Sequence, residues 1–242
     1  MDTHYASVAL EIVDSTQDEA AARFISRPVL VVAERQSKGR GRLDRVWVEP
    51  DRGLFSSLAF APEWPPARYP LIPLVAGLAM RQALAEDFGV AVDLRWPNDL
   101  MVGADKVGGV LVESDDERVV VGCGVNLFWI DPIEGGAGVA QDDPGPSAAA
   151  DLAARWAGRF LERMSAAPDL WGHREYEEAC ITVGRPVAYE RGSGTAVGID
   201  PDGSLLVETG DGVIAVHAGD IRIGATLPRL PLHGGADTEE SS

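Results

Sequence analysis

The chain has 242 residues, 45% of them hydrophobic and 24% charged, with a formal net charge of -17 at pH 7. That length sets a bound of one large domain, or a large domain with a small appendage, and the charge argues against a nucleic-acid binder, which needs a basic face. With no apolar run near the ~20 residues of a membrane span, an acidic start at Met1-Asp2-Thr3-His4, and only two cysteines and four scattered histidines, the sequence reads as cytoplasmic, without a tightly bound metal or prosthetic group.

Ala6 to Val13 alternates as a strand does and leads through Asp14-Ser15-Thr16 into a helical stretch from Gln17 to Ile25. Thr16 with Glu19 fits a capping box. Pro28 to Glu34 is a largely apolar strand candidate that feeds the segment Gly39 to Trp47, Gly-Arg-Gly-Arg-Leu-Asp-Arg-Val-Trp. From Arg35 to Arg52, six basic residues stand against three acidic ones, a local balance of about +3 opposed to the whole. Such a loop is either a solvated surface turn or the seat of an anion, since guanidinium forks suit carboxylate and phosphate oxygens.

Leu54 to Phe60 reads as the next strand, and Leu71, Leu74, Val75, Leu78, Ala85 and Phe88 recur at helical spacing before Gly89. Val90 to Trp96 is a strand that halts at Pro97; Leu100 to Val102 and Lys106 to Glu113 form a hairpin about Gly103-Ala104-Asp105. Arg118 to Asn126 is a further strand, Ile130 to Pro146 a Gly/Pro/Asp-rich loop, and helices follow near Ser147–Ser165 and Pro168–Cys180. Beyond Gly184, five short β-runs separated by Gly/Asp turns suggest a small barrel, and Leu227 to Ser242 a disordered tail.

Three segments invite chemistry. In Arg95-Trp96-Pro97-Asn98-Asp99 the proline interrupts a strand, so Asn98 and Asp99 either form an ordinary turn or serve a nucleotide with its Mg²⁺. Lys106 opens an apolar strand containing Gly108-Gly109; it is an exposed strand-end lysine or a cation beside a ligand. In Gly122-Cys123-Gly124-Val125-Asn126 the glycines clear room for a flat ligand or for close helix packing, with Cys123 a buried filler.

In joint order, Asp14-Ser15-Thr16, then Glu34-Arg35-Gln36-x-x-Gly39-Arg40-Gly41-Arg42, then Arg95-Trp96-Pro97-Asn98-Asp99…Lys106-x-x-Gly109, then Gly122-x-Gly124-Val125-Asn126 resemble the biotin protein ligases. The resemblance runs over roughly residues 8–130 and resumes over 183–223. It implies an α+β fold: a mixed central sheet with flanking helices, of the class II synthetase-like biotin/lipoate ligase kind, plus a small C-terminal SH3-like β-barrel. The domains would be a catalytic unit over 1–182, the barrel over 183–226 and a disordered tail over 227–242.

The implied activity is an ATP-dependent ligase. It makes biotinyl-5′-AMP and transfers biotin to a lysine of the carrier domain of a biotin-dependent carboxylase, with ATP and Mg²⁺ as co-substrates. The resemblance assigns Lys106, Arg40 and Arg42 to catalysis; Ser15, Thr16, Gln36, Gly39, Arg40, Leu111, Gly122, Gly124 and Val125 to biotin; Arg42, Trp47, Asn98 and Asn126 to the nucleotide; and Asp99 to its magnesium. Because these motifs begin by residue 14, no N-terminal DNA-binding domain and no DNA partner are expected, while an exposed sheet edge can pair with a second copy.

Several residues depart from the family. Asp44 stands where glycine is usual, Arg95 where lysine is common, and Leu127-Phe128-Trp129 lacks a second asparagine. Asp44 opens the alternative of a non-catalytic biotin or nucleotide binder. A lipoate or octanoate ligase is the nearest rival; that family resembles its members through a glycine-rich segment with a nearby histidine, and this chain has none between His4 and His173.

Overall fold

The computed structural model describes residues 5–42, 47–115 and 117–217, with the backbone of 222–223. Asp44, Arg45 and the tail at 227–242 lie outside the described residues.

A seven-stranded mixed sheet forms the body of the molecule, in the order β1-β2-β3-β7-β6-β5-β4. Its strands are β1 (Ala6–Val13), β2 (Val29–Gln36), β3 (Arg52–Phe60), β4 (Asp93–Arg95), β5 (Asp99–Val102), β6 (Asp105–Ser114) and β7 (Val119–Phe128). β1 pairs parallel with β2, joined by helix α1 (Thr16–Arg23), and every other pairing in the sheet is antiparallel. The strand expected over Val90 to Trp96 shrinks to three residues, because the chain needs only Asp93–Arg95 to pair with Met101–Asp99 at the sheet's edge.

Alternation along the central strands gives the sheet two unlike faces. On one, Leu54, Leu58, Val121, Cys123 and Val125 meet helices α2 (Ile72–Phe88) and α3 (Ala148–Met164) in one continuous core. Trp156 and Phe160 of α3 are fully buried; Phe160 meets Phe60 edge-on at 5.4 Å, and the Trp156 indole donates to the Ala76 carbonyl. α2 ends as its sequence dictates, on Gly89 at φ 65° in the left-handed region. On the other face, α1 covers only the β2–β3–β7 end, burying Ala20 on Val31, Ala59 and Val120. The rest of that face carries Ser57, Gly109, Leu111, Gly122 and Gly124 and is left open as a cleft.

The helix expected over Pro168–Cys180 is broken. A 3-10 turn at Pro168–Leu170 precedes α4 (His173–Ala179), and Gly172 between them takes φ 101°, which no continuous helix permits. A second sheet follows: β8 (Pro186–Tyr189), β9 (Gly192–Ile199), β10 (Leu205–Thr209), β11 (Gly212–Val216) and β12 (Arg222–Ile223), in the order β11-β10-β9-β8-β12 and antiparallel throughout. It shares the core beneath α2 and α3 through Val187, Ala196, Leu205 and Val207, and its contacts with the β4 end include the Ile181 N–H donating to the Leu94 carbonyl and the Trp96 indole donating to the Gly203 carbonyl in the β9–β10 turn.

Candidate active site

The open face holds a cleft of about 460 Å³. The sequence-predicted residues Ser15, Thr16, Gln36, Arg40, Arg42, Trp47, Asn98, Asp99, Lys106, Leu111, Gly122 and Gly124 all line it. Three others do not. Val125 points its fully buried side chain into the α2 layer, one pleat away from Gly124. Gly39 sits at the base of the cationic loop, its carbonyl accepting the Trp47 N–H at 3.0 Å. Asn126 is buried and donates its amide to the carbonyls of Lys106 and Ala137, which secures the start of β6, while its Oδ1 has no hydrogen-bond partner.

The start of α1 departs from a capping box. Ser15 is the N-cap but makes no side-chain cap bond; instead, Gln36 Oε1 on β2 accepts both the Thr16 N–H at 2.7 Å and the Thr16 hydroxyl at 3.0 Å. The Ser57 hydroxyl lies 2.8 Å from Thr16 Oγ1. Thr16, Gln36 and Ser57 thus form a connected, largely buried polar wall contributed by three elements. Such a wall presents fixed donors and acceptors to a small polar group.

The opposite wall is ionic. Asp99 Oδ1 lies 2.6 Å from Lys106 Nζ, and Asp99 Oδ2 accepts from Arg95. Burial by itself would raise the Asp99 carboxyl, but Lys106 and Arg95 outweigh it and hold the group below the usual carboxylate range. Asn98 beside it accepts from Arg42 at 3.3 Å and donates to the Val110 carbonyl at 2.8 Å. Because both Asp99 oxygens are already engaged by cations, this donor set does not fit direct coordination of Mg²⁺, and no group of three metal-ligating side chains occurs among the described residues.

Arg40 lies at the α1 end of the cleft. It grips Asp18 with both terminal nitrogens, at 3.0 and 2.8 Å, and reaches Glu113 at 3.5 Å. These bonds lower the Asp18 carboxyl and raise the guanidinium. Arg40 and Lys106 therefore each hold an acidic partner of their own, Asp18 and Asp99. An exposed, bidentate carboxylate is an exchangeable partner, since a ligand anion offers the same fork.

The glycines divide by role. A Cβ on Gly108 would come 2.7 Å from the Gly124 carbonyl and 2.8 Å from Leu100, so that glycine serves strand packing. The room above Gly124 is filled by Trp47, whose ring lies 3.1 Å from where a Cβ would be, and that above Gly109 by Lys106 at 3.4 Å together with Trp47 at 3.5 Å; Lys106 Nζ is 5.6 Å from the ring centroid. Gly122 is overlain by Gln17, whose amide oxygen would come 2.9 Å from an added Cβ. Cys123 faces the helices, and burial pushes its thiol far up, so it is the inert filler the sequence suggests.

Sequence reading passed over Gln17, Asp18 and Glu113. Helical position places Gln17 beside Thr16, and strand alternation puts Glu113 on the face of Gly109 and Leu111; both signals were available, but neither residue type is distinctive.

The mixed sheet with its helices and the small C-terminal sheet match the fold of biotin ligases of known structure. A biotin protein ligase from Aquifex aeolicus, solved in complex with biotin and ATP, superposes with TM-score 0.76 at 27% identity, covering 90% of this chain and 98% of that one. The enzyme from Leishmania major in complex with biotinyl-5-AMP superposes with TM-score 0.63 at 25% identity, covering 88% and 99%. In sequence, the biotin–[acetyl-CoA-carboxylase] ligase of Paracoccus denitrificans is 30% identical over 87% of this chain and 98% of its own length.

The profile of the biotin/lipoate A/B protein ligase family matches residues 9–126, and that of the biotin protein ligase C-terminal domain matches residues 182–224. The chain belongs to the biotin/lipoate A/B protein ligase family.

Proposed function

We propose that the chain joins biotin to a carrier protein in two steps. A biotin carboxylate oxygen attacks the α-phosphorus of ATP, the α–β phosphoanhydride bond breaks, and pyrophosphate leaves. The amine of a carrier-domain lysine then attacks the acyl carbon of biotinyl-5′-AMP; AMP departs, the nitrogen loses a proton and an amide remains. The observation that carries this reading is that one cleft gathers Arg40, Arg42 and Lys106 around a glycine-thinned floor. Two anions have to be held together before they react, which calls for fixed cations and orientation rather than a nucleophilic side chain.

In this scheme Lys106 contacts the carboxylate and the α-phosphate and stabilises the charge developing between them. Arg42, steadied by Asn98, holds the adenylate phosphate. Arg40 exchanges Asp18 for the biotin carboxylate. Ser15, Thr16 and Gln36 read the polar head, Leu111 and Gly122 bound the apolar length, and Trp47 closes the end over Gly124. Asp99 holds Lys106 and Arg95 in place, and magnesium enters as the counterion of the nucleotide's own phosphates; no step is routed through it. Asn126 supports the Lys106 end of β6.

The catalytic unit would span 1–182 and the SH3-like unit 183–226. The net charge of -17 supports a protein that leaves DNA alone, and no helix among the described residues is long and apolar enough to cross a membrane, which suits a cytoplasmic enzyme. The β1 edge, where Ile12 is exposed, is the surface through which a second copy would pair. The test is ATP-dependent pyrophosphate release with biotin, lipoate and octanoate in parallel. Release with biotin supports the reading; release only with lipoate or octanoate, or none from folded protein, overturns it.

A further inference from the structure

The sheet edge beside the ionic wall is closed by the chain that leaves α4. β4 ends the strand order, and Leu94 bridges in parallel to Cys180 while its carbonyl accepts the Ile181 N–H at 2.9 Å. One step further along, the ladder changes its chemistry. The Trp96 N–H donates at 2.9 Å to the side-chain hydroxyl of Thr182, a fully buried residue. Branching at Cβ stiffens that side chain, so the hydroxyl has a fixed direction. Thr182 is also tied to the second sheet: its carbonyl accepts the Arg185 N–H, and the Arg185 carbonyl accepts from Ala196 of β9. With its indole on the Gly203 carbonyl, Trp96 is held at both of its donors.

The residues that follow Trp96 build the ionic wall. Asn98 is bound on its far side to β6, its carbonyl accepting the Val110 N–H and its amide donating to the Val110 carbonyl. Asp99 opens β5 and sets the Lys106 ammonium. The wall is thus pinned from β6 and from Thr182, which does not itself line the cleft. On the reading that the cleft joins biotin to ATP, we infer that Thr182 is a positioning residue for that reaction: its hydroxyl fixes the strand end that carries Asn98 and Asp99, and through Asp99 the Lys106 ammonium. Without the hydroxyl, the Trp96 N–H is buried with no acceptor, and the segment 96–99 shifts to satisfy it. A displacement of about 1 Å of the groups that orient a reaction can cost of order a hundredfold. Thr16, Gln36 and Ser57 sit on α1, β2 and β3, on the other side of β7 from β4, so the head pocket is spared.

The experiment uses the full chain and compares Thr182→Val, which keeps the shape and removes the acceptor, with Thr182→Ser, which keeps the acceptor. Thr182→Val is expected to lower kcat/KM for ATP in biotin-dependent pyrophosphate release by at least about tenfold, and Thr182→Ser to restore most of it. Biotin affinity measured without ATP should be unchanged in both. The assignment is overturned if Thr182→Val keeps the wild-type kcat/KM for ATP, if it loses biotin affinity to the same extent, or if Thr182→Ser behaves as Thr182→Val does. Because linkage is reciprocal, bound nucleotide must also tighten the bond that favours it. In the wild type, amide hydrogen exchange at Trp96 should therefore slow when ATP is added to the biotin complex, and by more than at the β1 amides. Equal change at both places overturns the assignment, whether or not Thr182→Val folds. Wild-type protein that releases no pyrophosphate with biotin and ATP would instead overturn the reading of the cleft, and this assignment with it.

Discussion

Strand β7 shows the two faces of the molecule within ten residues. Its odd-numbered side chains, Val119, Val121, Cys123, Val125 and Leu127, are all buried beneath the helices, while its even-numbered positions run Val120, Gly122, Gly124 and Asn126. One face is packed to exclude everything; the other is thinned until it holds a cleft. Strand β6 repeats the division, with Val107 and Val110 inside and Gly109, Leu111 and Glu113 toward the opening. The difference separates stability from chemistry: filled positions set whether the sheet exists, and thinned positions set what it binds. Substitutions on the two faces should therefore fail in different assays.

The largest effect is expected on the open face. Lys106→Ala removes the cation 2.6 Å from Asp99 and leaves that carboxylate to Arg95. Biotin-dependent pyrophosphate release should fall by about 10³-fold, a loss typical of removing a preorganised charge, with thermal unfolding little changed. On the packed face, Leu58→Ala empties a fully buried site under α3 and should cost about 2–5 kcal/mol in denaturant unfolding. Activity per folded molecule should persist.

A smaller and more diagnostic effect belongs to Gly122→Ala. The added methyl meets side-chain atoms, the Gln17 amide oxygen at 2.9 Å and the Ser57 hydroxyl at 3.3 Å, so the fold should survive while biotin affinity drops by roughly ten- to a hundredfold through loss of about one to two polar contacts. Equal losses of stability and binding would erase the distinction between faces.

The smallest effect concerns pH. The folded-state pKa of Asp99 is held below its unfolded value by Lys106 and Arg95. Its contribution to stability is therefore fully present above about pH 3.9 and is lost as pH falls through the lower folded value. Asp99→Asn should lower stability near neutral pH, where that contribution is present, and flatten the acid limb of the unfolding curve so that variant and wild type converge at low pH.

The packed face was legible in the sequence because burial writes itself as periodicity: the strands over Leu54–Phe60 and Arg118–Asn126 and the helix ending at Gly89 all follow from spacing. The cationic loop and the glycine pair of β7 also stood out, since residue type alone marks them. What spacing could not supply was partnership. Thr16 and Glu19 spell a capping box, yet the Thr16 N–H and hydroxyl go to Gln36, twenty residues away. Gly108 and Gly109 look alike, but only their pleat decides that one packs against Leu100 and the other faces Trp47. Asn126 reads as a ligand contact, and the sequence gives no sign that its amide nitrogen also ties loop residue Ala137 to β7. Gln17, Asp18 and Glu113 gained meaning only when α1 was laid across the sheet.

The central claim, that the thinned face joins a biotin carboxylate to an α-phosphate, is tested most directly by a single-turnover reaction with ATP labelled at its α-phosphate. Wild-type protein mixed with biotin should form labelled biotinyl-5′-AMP, which is consumed when a biotin carrier domain is added, in step with biotin appearing on one of its lysines. Folded protein that binds biotin and ATP yet forms no labelled adenylate would contradict the account.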